Sequence, residues 1–233
     1  MITAITEKPL HFILTREQAF KVIAVAVATL LTFGSSWAFF AAGLTLFCET
    51  ALHVGSQHTW YDTRALSFEN FIFGIGKEYL GKLVIGVALI ALGLVVLPTG
   101  PAQTKLAEMA LAAPARFFFQ AVVQAPICEE IFFRGFLQER FVDMAQLFDR
   151  HIHPLSNEFQ HSIANLAQAV LFGLAHITGG QVAPGAKWLI AMSTGWSGYV
   201  FGSCKRENDE LLLSTSLHSF GNFIAASVLL GKS

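Results

Sequence analysis

Three apolar stretches of the chain each carry a few polar residues at helical spacing: Glu129, Glu130 and Arg134; His176; and His218 with Asn222. An ionisable group in hydrocarbon is costly, so if these stretches are membrane spans a functional role is the default expectation. At about 100° per residue, Glu130 and Arg134 (i and i+4) share a helix face, and Glu129 points about 100° away from Glu130. Arg134 is placed to hold Glu130 in an ion pair, which leaves Glu129 free to act as a general base. The structural alternative is that all three form an ion network. Phe172 and His176 also share a face, and a lone His near the end of an apolar helix can simply be a hydrogen-bonded packing residue. His218 and Asn222 repeat the i, i+4 spacing and can donate hydrogen bonds toward one point, or clamp two helices. Polar groups on three separate spans satisfy one another most simply around a shared interior cavity.

Composition predicts spans to position them. Of 233 residues, 54% are hydrophobic and only 13% charged, against roughly 25% charged in soluble domains. The expected class is an integral, multi-pass membrane protein of the cell (inner) membrane, with the lipid bilayer as its surroundings. The net charge of -1 and the absence of a basic stripe argue against a nucleic acid partner. Cys48, Cys128 and Cys204 lack paired spacing and read as packing residues.

Residues 22–48 contain no Asp, Glu, Lys or Arg, and a helix needs about 20 residues to cross ~30 Å of hydrocarbon. They form the expected first span. A mixed connector over 49–82 precedes a second span over 83–99. The third is expected at 115–140, the fourth at 161–178 before Gly179 and Gly180, the fifth at 188–204 and the sixth at 211–231. Polar connectors are expected over 141–160 and 205–210. Gly195, Gly198 and Gly202 suit close helix packing. Lys8, Arg16 and Lys21 before the first span are balanced by Arg64, Lys77 and Lys82 after it, so charge does not choose an orientation. The expected fold is all-α: a single polytopic transmembrane bundle over 1–233, of about six to eight helices around an interior polar cavity.

Three motifs resemble those of a known family. Glu129-Glu130-Ile131-Phe132-Phe133-Arg134 fits EExxxR, Phe172 to His176 fits FxxxH, and His218 to Asn222 fits HxxxN. In this order, on apolar helices, they resemble the CAAX-protease and bacteriocin-processing (CPBP) family of intramembrane endopeptidases. The resemblance covers about 115–231 as a peptidase core, leaving 1–114 as N-terminal spans without a family signature. It implies a peptide or protein substrate cut by water that Glu129 and His176 activate. It further implies His218 and Asn222 at the oxyanion, with Glu130 and Arg134 in support. Of the 22 Phe residues, most read as lipid-facing or packing, and Phe172, with Phe133, as lining the site.

A metal is the alternative within the same site, because Glu129, His176 and His218 can supply three zinc ligands and leave a fourth position to water. The chain has no H-E-x-x-H pair, so metal-free chemistry without a cofactor is expected. His151 and His153 read as loop histidines without a role. Outside catalysis, the same polar residues suit a proton relay or transporter if they line a path across the membrane, or a catalytically silent membrane scaffold.

Overall fold

The computed structural model describes residues 67–94, 110–151, 156–178, 186–208 and 211–230. Its regular elements are all helical: α1 (Phe68–Ala91), α2 (Pro114–Phe119), α3 (Ala125–Glu130), α4 (Gln138–His151), α5 (Asn157–Thr178), α6 (Lys187–Asn208) and α7 (Leu212–Leu230). Two π-helical turns, Gln120–Gln124 and Ile131–Leu137, join α2 to α3 and α3 to α4, so 114–151 is one continuous helical run.

Element boundaries differ from the expected ones wherever charged residues find partners on their own helix or its neighbour. α1 starts at Phe68, inside the expected connector. Ser67 caps it by accepting the Asn70 N–H at 3.0 Å, the Lys77 ammonium lies 4.3 Å over the Phe73 ring, and Lys82 pairs with Glu78 at 2.6 Å. The helix then stops where Gly93 takes φ 66°. The expected connector 141–160 is helical to His151, supported by an Arg140–Asp143 pair at 2.8 Å. The first part of the expected 205–210 hairpin instead completes α6, because Lys205 is buried against Glu139 of α4. The expected first span, 22–48, and the Gly179–Gly180 stop lie outside the described residues.

Among the described residues no helix is long and apolar enough to cross a membrane. The expected fourth to sixth spans do form helices, but polar residues such as Asn165, Gln168 and His176 on α5, and His218 and Asn222 on α7, lower their apolarity.

Those polar residues bind helices together. α5 and α6 form the most extensive pair, and the small residues on α6 face α5 as expected: a Cβ on Gly198 would meet the Phe172 ring at 3.0 Å and Ala169 Cα at 3.2 Å. This approach brings backbone carbonyls within reach of buried amides. Asn165 donates to Tyr199 O at 3.0 Å, Gln168 to Gly198 O at 2.9 Å, and Gln138 of α4 to Gly202 O at 3.1 Å. One apolar core, of Phe132, Phe133, Phe136, Leu137 and Phe172, lies beside the second π turn. Another, of Val200, Phe201, Cys204, Leu213 and Leu217, joins α6 to α7, with Phe71 and Ile75 of α1 packed against it.

Candidate active site

The second π turn begins immediately after Glu130 and carries Arg134 inward. Glu130 and Arg134 are both 0% exposed and pair at 2.9 Å between Oε1 and Nη1. The guanidinium is enclosed by aromatic faces, 4.2 Å from the Phe172 centroid, 5.4 Å from Phe201 and 5.7 Å from Phe133. Gly198 leaves room for it, since a Cβ there would stand 3.3 Å from Arg134 Nη2. A buried cation on ring faces gains electrostatic attraction that partly offsets its lost hydration.

Glu130 has a second partner across the bundle. His218 Nδ1 lies 2.9 Å from the same Oε1. A carboxylate oxygen accepts, so Nδ1 carries the proton and the His218 ring is fixed with Nε2 pointing elsewhere. The ring stacks on Phe201 at 5.2 Å and meets the edge of Phe172 at 5.7 Å. His176 is oriented in the same manner: its Nδ1 donates to Phe172 O at 2.7 Å, and its ring lies 4.6 Å from that of Phe172.

Both imidazoles thereby aim Nε2 at one atom. Glu129 Oε2 lies 3.6 Å from His218 Nε2 and 3.9 Å from His176 Nε2, and it has no hydrogen-bond partner among the described residues. An unprotonated His176 Nε2 and Glu129 Oε2 are two acceptors facing one point, which suits a donor between them; water, with two protons, is the smallest. The side chains of Glu129 and His176 are 18% and 32% exposed, although Glu129 Oε2 itself is buried, whereas Glu130 and Arg134 beneath them are sealed. Among the described residues no group of three or more His, Cys, Asp or Glu side chains is placed to hold a metal ion.

Asn222 is placed differently. Its Nδ2 donates to Ala121 O at 2.8 Å, in the first π turn. In that turn the Ala125 N–H reaches back five residues to Gln120 O, and the next donor in the same pattern, residue 126, is a proline with no N–H. Ala121 O therefore lacks its successor, and Asn222 supplies the missing donor, which ties α7 to the helix bearing Glu129. One of the two Nδ2 hydrogens remains for a second acceptor.

Residues 111–224 match the family described as type II CAAX prenyl endopeptidase, Rce1-like. This segment is a CPBP-family domain. Its family is a membrane-embedded family of peptidases. No curated protein and no solved structure matches the chain. The Rce1-like segment contains all eight predicted site residues, whereas α1 lies outside it. Phe201, Gly198 and Pro126 belong to the same constellation but carry no motif spacing; the only signal in the sequence was an aromatic and a small residue on the apolar helix next to the motifs.

Proposed function

We propose that the chain is a membrane-embedded, multi-pass endopeptidase in which Glu129 and His176 activate water against a peptide carbonyl. The observation that carries this reading is the convergence of two oriented imidazole Nε2 atoms on Glu129 Oε2. Glu129 takes one proton of the water as its oxygen bonds to the carbonyl carbon, and the carbonyl electron pair moves onto oxygen. His218, carrying a proton on Nε2, and the second N–H of Asn222 stabilise that oxyanion, each donor contributing roughly 2.7–4 kcal/mol. With Nδ1 already donating to Glu130, such a His218 is an imidazolium, and its charge with that of Arg134 balances the two carboxylates. The tetrahedral intermediate collapses with cleavage of the C–N bond, and the proton held by Glu129 passes to the leaving amine. Glu130, Arg134 and Phe172 keep the rings in place.

Seating in a bilayer is supported by the exposed side chains. On α1 Phe73, Leu80, Leu83, Val84 and Val87 all face outward, as do Ile163, Leu166 and Val170 on α5. An apolar surface of this extent is covered by lipid or protein. A proton relay needs access from two sides, and the sealing of Glu130 and Arg134 weighs against it.

Cleavage of a peptide library by the detergent-purified chain tests the proposal. Wild type is expected to cut and Glu129→Gln to lose about 10²–10⁴-fold in rate while unfolding at the same temperature. Equal rates in the two proteins would refute the assigned chemistry.

A further inference from the structure

α1 lies outside the Rce1-like segment, yet it is packed against the helices that build the site. A Cβ on Gly74 would stand 2.6 Å from Leu217 Cδ1, next to His218, and the Trp196 indole of α6 donates to Lys77 O at 3.1 Å. Between these contacts α1 buries a carboxylate: Glu78 is 1% exposed. Its Oε1 accepts from Lys82 Nζ at 2.6 Å and from Ser197 Oγ of α6 at 3.2 Å. Its Oε2 is buried with no hydrogen-bond partner among the described residues.

The carboxylate stands against two positions of the site. Gly221, between His218 and Asn222, faces it, and a Cβ there would lie 3.4 Å from Glu78 Oε1 and 3.9 Å from the Tyr79 hydroxyl. Ser197 immediately precedes Gly198, the residue that makes room for Arg134 against Phe172. For stability alone this is a poor choice of residue, because an incompletely satisfied buried carboxylate is costly and a well-packed apolar residue usually does as well or better. What a charged, directional group adds is specification of one arrangement among several of similar packing energy.

We propose that Glu78 is a positioning residue for the candidate site. It fixes the register of α6 and the rotation of α7 at the turn that carries His218 and Asn222. α1 is therefore part of the working unit, although the family segment begins after it. The kinetic part of this inference rests on the peptidase reading; the geometric part does not.

Glu78→Leu, Glu78→Gln and Ser197→Ala in the full chain test both parts, with thermal unfolding, the imidazole ¹H–¹⁵N signal of His218 and peptide cleavage measured on each. Glu78→Leu is expected to unfold at or above the wild-type temperature. Its His218 Nδ1–H signal should shift or broaden, and kcat should fall about tenfold or more with KM within about twofold, as expected when reacting groups are displaced by a fraction of an ångström. Glu78→Gln and Ser197→Ala should change the same readouts in the same direction but less. A folded Glu78→Leu with the wild-type His218 signal overturns the proposal, as does a rise in KM alone. If Glu78→Leu does not fold, the His218 signal of the near-isosteric Glu78→Gln decides in the same sense. If wild type cuts no peptide, the peptidase reading fails, and the His218 signal still decides for or against Glu78.

Discussion

His218 and Glu130 meet at 2.9 Å between Nδ1 and Oε1, and the same oxygen holds Arg134 at 2.9 Å. One carboxylate oxygen thus serves a cation and a catalytic candidate together, with no solvent to replace either. Removing it strands the guanidinium among Phe172, Phe201 and Phe133. Glu130→Leu or Glu130→Ala is expected to cost about 3–5 kcal/mol, the range for breaking a buried pair from one side. Adding Arg134→Met to Glu130→Leu should recover most of that stability without restoring cleavage, because His218 still lacks its acceptor. Denaturation in detergent, paired with the cleavage assay, checks both. A double variant with wild-type activity would show that orienting His218 is not what Glu130 does.

The close approach of α5 to α6 gives a second prediction. Gly173 lies next to Phe172 and three residues before His176, and a Cβ there would overlap Ala191 O and crowd Gly195 Cα and N at 3.1 Å. Both obstacles are backbone, so the helices themselves must separate. Gly173→Ala is expected to destabilise the pair and lower kcat/KM by about 10²-fold, since a displacement near 1 Å suffices for such a loss. Gly76, with nothing within 4 Å of its Cβ position, is the control: Gly76→Ala should be neutral or stabilise by up to about 1 kcal/mol through helix propensity. Unfolding temperatures and initial rates for the pair separate a helix-spacing effect from a general glycine effect.

Much of the site was legible because its spacing lies within single helices. Periodicity alone places Glu130 with Arg134 and turns Glu129 away from both, and the structure has that pair at 2.9 Å and Glu129 facing two imidazoles instead. Periodicity cannot reveal what faces a residue across the bundle. That His218 binds Glu130, that Phe201 stacks on His218 and that Glu78 reaches Ser197 all depend on which helices are neighbours. The element ends are hidden from the sequence for a related reason. Lys77, Lys82, Asp143 and Lys205 look like connector residues until a ring or an oppositely charged group three or four residues away, or on a neighbouring helix, accounts for them. The π turns left a faint mark only at Pro126, whose missing N–H becomes informative once the five-residue reach of the preceding turn is known.

That proline supports the last prediction. If Asn222 supplies the donor that Pro126 cannot, the two positions are energetically coupled although 96 residues separate them in the sequence. Asn222→Ala alone should cost about 1–3 kcal/mol, the range for stranding a poorly solvated carbonyl. In a Pro126→Ala background residue 126 regains an N–H that can turn to Ala121 O, so the same Asn222→Ala change should cost about 1 kcal/mol less. The double-mutant cycle cancels the separate gain in helix propensity from replacing proline and isolates the coupling. Cleavage should not follow stability in this cycle. An oxyanion donor lost with Asn222 is not restored by a backbone N–H at 126, so the double variant is expected to be folded and about 10²–10³-fold slow. Recovery of both stability and rate would instead make Asn222 a clamp and nothing more, leaving His218 as the oxyanion donor.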